Sequence, residues 1–189
     1  MLRMVLFLLL AGNALAQELE GLSIVPLSLQ ATEADSVWEY VDGVIGILSN
    51  DEDSLVHMFE AMGVPGDKAY RLTQSSSNDA ARAQSHDYAI AYAQTQGWGT
   101  VLILEEDAKL RSSSEPHWQT QLAQFLKSPP EYWSVLVLGG EVRMVEGMVD
   151  AQGYARLKQL GKSSGYMVEA GYYASLRSCF QDTLESFER

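Results

Sequence analysis

Apolar positions fall into two kinds of run along this chain. Three are short and nearly continuous: "GVIGIL" (Gly43 to Leu48), "TVLIL" (Thr100 to Leu104) and "WSVLVL" (Trp133 to Leu138). Such runs predict strands buried on both faces. Shorter apolar stretches, "AYRL" and "GYMV" near 165–168, read as further strands, and "SIVPLSL" as a short edge segment. Between them, apolar residues recur at three- and four-residue spacing, the period of a helix with one buried face. Leu55, Phe59 and Met62 form one such stripe, in a helix starting near Asp53. Ser49, Asn50 or Asp51 can cap that helix, and Gly63 followed by Pro65 ends it. "TQSSSN" caps a second helix over about Asp79 to Gln96, stopped by Gly97. A third carries Trp118, Leu122, Phe125 and Leu126 and terminates at Pro129-Pro130; a fourth runs from about Gly171 to Glu185.

Strands alternating with amphipathic helices predict an α/β fold with a mostly parallel central sheet flanked by helices, Rossmann-like in plan. Burying Val101, Leu102, Ile103 and Leu104 contributes roughly 1.5–3 kcal/mol each, too much to leave one face in water, so that strand is central. Residues 17–42 lack clear periodicity and read as an irregular, loosely packed leader, which leaves 43–189 as the domain.

The first sixteen residues change the picture of location. Arg3 precedes an apolar core, Met4 to Ala11, and Ala14-Leu15-Ala16 precedes Gln17. That arrangement is a secretory signal peptide, with an uncleaved anchor as the alternative. No later run approaches the ~18 apolar residues of a membrane span, so none is expected after cleavage. The secretory pathway, in the endoplasmic reticulum or Golgi lumen or beyond as a secreted protein, is the expected location.

Formal net charge is −12, and losing Arg3 makes it one unit more negative. So acidic a surface argues against nucleic acid and anionic lipid as partners, because both need basic patches. The single cysteine, Cys179, permits no internal disulfide; at helical spacing with Leu176 and Thr183 it reads as a small buried hydrophobe.

Candidate chemistry begins where the central strand meets "EED", Glu105-Glu106-Asp107. In open α/β sheets ligands bind at the carboxyl ends of the strands. Two charges about 4 Å apart repel by roughly 1 kcal/mol in water and about 4 kcal/mol at an effective dielectric of 20, so three clustered carboxylates need compensation. A hard divalent cation held through oxygen, Mg²⁺ or Mn²⁺, supplies it. Alternate residues of an extended segment face the same way, so Glu105 and Asp107 act together while Glu106 points elsewhere. The competing reading is that Lys109, Arg111 and a helix dipole neutralise the triplet. His86 shares a helix face with Ala83, Ile90 and Ala93 and points toward the sheet, as a core histidine or a ligand contact. Ser85 either joins it or bonds back to a helix carbonyl. Gly139-Gly140 is either a turn or a place where backbone approaches a ligand. Tyr166, Tyr172 and Tyr173 are core residues or stacking surfaces, and His57 and His117 have no partner pattern.

Taken together, "ARAQSHDYAIAYAQTQGWGTVLILEEDAKL" resembles glycosyltransferase family 25, the lipopolysaccharide-type and collagen-type sugar transferases. The family's pattern is a Ser-His pair on a helix, here Ser85-His86, before an apolar strand ending in Glu-Asp-Asp, here Glu105-Glu106-Asp107. "GVIGILSNDEDSLVHMFEAMGV", "EYWSVLVLGG" and "YARLKQLGKSSGYMVEAGYYASL" resemble its other segments, so the likeness spans about 43–185. The resemblance implies a GT-A fold and transfer of a sugar from a nucleotide-diphosphate donor to a protein or glycan acceptor. It also implies a metal at the acidic motif, with Asp107 as principal ligand and Glu105 second. Ser85, His86, Arg82 and Glu106 fall at donor-binding positions. This chain departs from the family pattern in having no Arg in "ILSNDEDSLVHM" and Ala81-Arg82 where many members carry Gly-Cys. It also stops soon after its last helix, where family members build acceptor contacts and often a further metal ligand, so a C-terminally truncated domain is expected. A catalytically inactive binding or scaffold relative is therefore the alternative, and no catalytic base is assigned.

Overall fold

Two of the three apolar runs, Gly43 to Leu48 and Thr100 to Leu104, become central strands of one six-stranded sheet. Trp133 to Leu138, expected to be buried on both faces, falls at its edge, where 133–137 are only half-buried and Leu138 is exposed. The computed structural model describes residues 22–29, 36–49, 51–74, 76, 78–108, 117–130, 133–148 and 155–187. The expected signal peptide, the capping candidate Asn50, and Lys109 and Arg111 lie outside them. Strands are β1 (Ser23–Pro26), β2 (Gly43–Leu48), β3 (Ala69–Thr73), β4 (Thr100–Glu105), β5 (Val135–Met148) and β6 (Ala155–Glu169). Helices are α1 (Glu52–Met62), α2 (Asp79–Thr95), α3 (His117–Lys127) and α4 (Tyr173–Phe187), with 3-10 turns at Ser36–Tyr40, Gly66–Lys68 and Ala170–Tyr172.

Sheet order is β1-β3-β2-β4-β6-β5. β3, β2 and β4 are parallel neighbours, whereas β1 on β3, β6 on β4 and β5 on β6 are antiparallel. The fold is thus α/β, compatible with a Rossmann-like plan, but the expected mostly parallel sheet is mixed. The cause is a long ribbon. Instead of closing at Gly139-Gly140, β5 continues to Met148 against a β6 of 15 residues, where "GYMV" had suggested four. Only Gly165–Val168 of β6 are buried, so the rest of the strand carries no apolar signature. Gly139-Gly140 is therefore not a turn, and the pairing itself needs a glycine at 140: at φ +157° a Cβ there would stand 2.4 Å from the Lys162 carbonyl oxygen.

Alternation along the central strands sends side chains into two cores, one on each face. Val44, Leu48, Leu102 and Leu104 pack with α1 and α3 residues, among them Leu55, Phe59, Leu122 and Phe125. Ile45, Ile47, Val101 and Ile103 face Ala89, Ile90 and Ala93 of α2 and Tyr173 of α4. Small residues on the buried face of α2 let that helix lie close to the sheet. Both helix starts carry the expected chemistry: Asp51 Oδ1 accepts from the Ser54 N–H at 3.1 Å, and Asn78 Oδ1 from Ala81 at 2.8 Å. Gly63, at φ 65°, closes α1 in the left-handed conformation that glycine adopts at least cost.

The leader is better packed than its sequence suggests. β1 forms the predicted edge strand, and Leu22, Leu27, Val37, Trp38 and Val41 are all buried. Lys68 Nζ donates to the carbonyls of Trp38 and Val41, at 2.5 and 2.9 Å, fastening the turn that carries them. A four-residue strand and a five-residue turn are too short to display a period, so an irregular reading was all the pattern allowed. No helix among the described residues is long and apolar enough to cross a membrane.

Candidate functional site

Parallel strands β2, β3 and β4 deliver their carboxyl ends to one edge of the sheet, and the acidic triplet sits there. Its three carboxylates diverge. Glu106 turns toward β2, accepting from the Ser49 N–H at 2.8 Å and from Ser49 Oγ at 3.1 Å. Gln74, just beyond β3, holds the same Ser49 hydroxyl at 2.8 Å. Glu105 turns to the opposite side, where Oε2 pairs with Arg82 and Oε1 lies 3.4 Å from His86 Nε2. Asp107 pairs through Oδ2 with Lys162 of β6. Glu106 therefore parts from Glu105, but Asp107 does not rejoin Glu105 as expected: the strand ends at Glu105 and 106–107 form a turn, so extended alternation does not reach them. The mutual repulsion inferred from the sequence is met by the chain's own groups: a guanidinium, an ammonium and a backbone amide.

Glu105 opens into a cavity of about 650 Å³ between α2, α4 and the β5–β6 ribbon. Arg82, His86 and Glu105 form its polar end; Val137, Leu160, Leu176 and Phe180 contribute apolar wall. Its charged lining balances, with Arg82, Arg143 and Lys162 against Asp79, Glu105 and Glu141. Asp107, the expected principal metal ligand, does not line the cavity; it is tied to it by its ion pair with Lys162, which does. The helical wall is braced where Arg177 Nε of α4 donates to Asp87 Oδ1 of α2 at 2.8 Å.

His86 is buried at the base of this cavity. Nδ1 lies 2.8 Å from the Tyr166 hydroxyl, and Phe180 stacks on the imidazole with centroids 5.4 Å apart and planes 14° from parallel. Burial, helped by the positive charge of Arg82, lowers its pKa from 6.5 to about 4. The fully buried Tyr166 phenol is pushed well above its usual range by desolvation. A histidine held neutral in the fold binds its proton more readily once unfolded. Its contribution to stability is complete above about pH 6.5 and disappears as pH falls toward 4. Urea midpoints measured across that window are expected to fall with pH, and His86→Gln to flatten the decline.

Of the residues singled out in the sequence, Arg82, His86 and Glu105 come together in the cavity. Ser85 does not line it: its hydroxyl donates to the Ala81 carbonyl at 2.8 Å, the helix back-bond that was its alternative. Glu106 faces Ser49 and does not line it either. Among the tyrosines, Tyr166 reaches the cavity while Tyr173 is buried in the core. His57 is exposed, 3.7 Å from Glu60. Cys179 is exposed, contrary to its expected burial, because the inward strip of α4 is Leu176, Phe180 and Thr183 and the thiol falls outside it. Lys162 and Arg143 were missed. Both lie on the ribbon, where no apolar period marks which face is inward. No protein-family model matches the chain, and no curated protein matches its sequence.

Proposed function

We propose that the cavity at the carboxyl end of β4 binds a nucleotide-diphosphate sugar, and that the protein is a glycosyltransferase of the family 25 type with a GT-A-like fold. Its acceptor would be a protein or glycan of the secretory pathway. One observation carries this reading: Arg82 and His86, one turn apart on α2, converge with Glu105 from the end of β4 in one concave cavity at the carboxyl edge of the parallel strands. About 650 Å³ lies within the roughly 300–1,000 Å³ of small-molecule sites.

Electrostatics argue for a cation as companion. The charged lining sums to zero, so a diphosphate would bring negative charge that the walls alone do not balance. Among the described residues no three acidic, His or Cys side chains form a ready-made metal cage. Mg²⁺ and Mn²⁺ need no such cage, because one or two carboxylates plus substrate phosphates suffice for a Mg²⁺-like site. Asp107 fits that role best: its side chain is 42% exposed and tied to an equally open Lys162, an ion pair worth about 0–1 kcal/mol. Glu105 fits second, since Arg82 and His86 already engage its oxygens. When bound, the cation supplies positive charge to the departing diphosphate. Lys162, freed from Asp107, offers its three N–H groups to a phosphate, and Arg82 keeps Glu105 while presenting its remaining donors.

A binding module without transfer activity is the second reading. It is favoured by Glu105, the acid deepest in the site, whose engaged oxygens leave it poorly placed to accept a proton. Calorimetric titration of UDP-sugars with and without Mn²⁺ tests both readings. Metal-dependent binding, weakened at least about tenfold in Asp107→Ala (~1.4 kcal/mol), supports the donor site. Binding without sugar transfer or hydrolysis selects the module. Equal binding in chelator and in Mn²⁺ removes the cation, and no binding of any UDP-sugar removes the donor site.

A further inference from the structure

The contacts behind Glu105 assign a role to Tyr166. This residue sits on β6 opposite Ile103 of β4, two positions before Glu105, and is buried. A buried phenol needs a partner, and its hydroxyl finds one in His86 Nδ1 at 2.8 Å. Two proton arrangements satisfy that contact. Either Tyr166 donates to a bare Nδ1, leaving the proton on Nε2, or Nδ1–H donates to the phenol, leaving Nε2 bare. The other side of the ring decides between them. Nε2 lies 3.4 Å from Glu105 Oε1, and a bare nitrogen there would set its lone pair against a carboxylate. An N–H presents its positive end instead. Buried under Phe180 and beside the Arg82 guanidinium, the ring has no solvent to stabilise a second proton; with one proton, on Nε2, Nδ1 is bare and Tyr166 is the donor.

We propose that Tyr166 is a positioning residue: its hydroxyl fixes His86 as the Nε2–H tautomer, which steadies Glu105 beside Arg82 in the wall of the cavity. The contacts then follow without a conflicting donor or acceptor: the Tyr166 O–H donates to Nδ1, Nε2–H faces Oε1 at 3.4 Å as an electrostatic contact, and Arg82 pairs with Oε2. Phe180, stacked on the imidazole, holds the ring plane. None of this depends on a bound ligand. It rests on the donor-site reading only for its consequence, that Glu105 is presented to a nucleotide sugar in one orientation.

The test is imidazole ¹⁵N spectroscopy of the ligand-free protein at neutral pH, comparing the parent with Tyr166→Phe. That substitution keeps the ring and removes only the hydroxyl. The parent is expected to show a single Nε2–H tautomer for His86. In Tyr166→Phe the Nδ1–H form appears, and the Glu105 carboxyl ¹³C resonance moves with it. A parent with its proton on Nδ1, or a tautomer and Glu105 resonance unchanged in Tyr166→Phe, overturns the proposal. Thermal unfolding of the variant, with His86→Gln as a second probe of the Glu105 resonance, separates a tautomer change from loss of fold. UDP-sugar titration of the same samples addresses the donor-site reading alone: an unaltered tautomer with binding intact sinks the positioning role, and a shifted tautomer with no binding in the parent sinks the donor site.

Discussion

Arg82→Ala is expected to weaken UDP-sugar binding by at least about tenfold (~1.4 kcal/mol) and to destabilise the fold. Glu105 would keep its place, with a side chain only 12% exposed, but lose its counter-charge. Leaving a largely buried polar group without its partner costs roughly 1–3 kcal/mol, and a charge more. A urea midpoint reads that loss. Arg82→Ala/Glu105→Gln is expected to recover most of the stability, because the stranded charge is then gone, and none of the binding, because the cavity has lost a guanidinium. Arg82→Lys falls between: it keeps the charge but loses the planar fork that can serve a carboxylate and a phosphate together. A double variant that recovers both properties would show that Arg82 matters only as a counter-ion.

Phe59→Ala separates stability from function in the opposite direction. Phe59 is fully buried on α1, in the core that lies across the sheet from the cavity. Truncating such a ring costs about 3–5 kcal/mol, combining lost transfer energy with the cavity left behind. A domain's whole stability is typically 5–15 kcal/mol, so this one change removes a large share of it. For a chain of this size the melting temperature is expected to fall by roughly 6–20 °C. At a temperature where the variant remains folded, UDP-sugar affinity is expected to match the parent. A fall in affinity there would mean that the two faces of the sheet communicate.

How much of this could be read beforehand depended on how strongly each element buries its face. β2 and β4 announced themselves because both of their faces are covered, giving runs such as "GVIGIL" with every residue buried. The four helices showed their period because one side of each meets the sheet or its flanking layer. The ribbon did not. From Glu141 to Gly147 of β5 every residue is exposed, and Val142, Met144 and Val145 are roughly half accessible, so neither face is selected for. A strand held mainly by backbone pairing leaves little trace in hydrophobicity. That gap hid the antiparallel half of the sheet, and with it Lys162.

The site was half legible for a related reason. His86 and Glu105 lie on elements whose burial fixes their direction, so the helix face of His86 and the alternation at Glu105 pointed them inward. Ser85 shares the helix but spends its hydroxyl on the Ala81 carbonyl, a local bond that competes with any ligand. Glu106 was drawn away by Ser49, a partner 57 residues distant that no local pattern could supply. The need for compensation at the triplet was read correctly from its charge. The ion pairs that Arg82 and Lys162 make there were not legible, because the packing of α2 and the pairing of β6 bring those residues to the triplet.

Paramagnetic mapping with Mn²⁺ tests the central claim most directly. In ¹H–¹⁵N spectra recorded with a UDP-sugar, substoichiometric Mn²⁺ is expected to broaden resonances at 104–108, 161–163 and 82–86 while sparing α1 on the far face. Broadening that ignores this cluster, or that is the same in Asp107→Ala, would contradict a cation-assisted donor site at the end of β4.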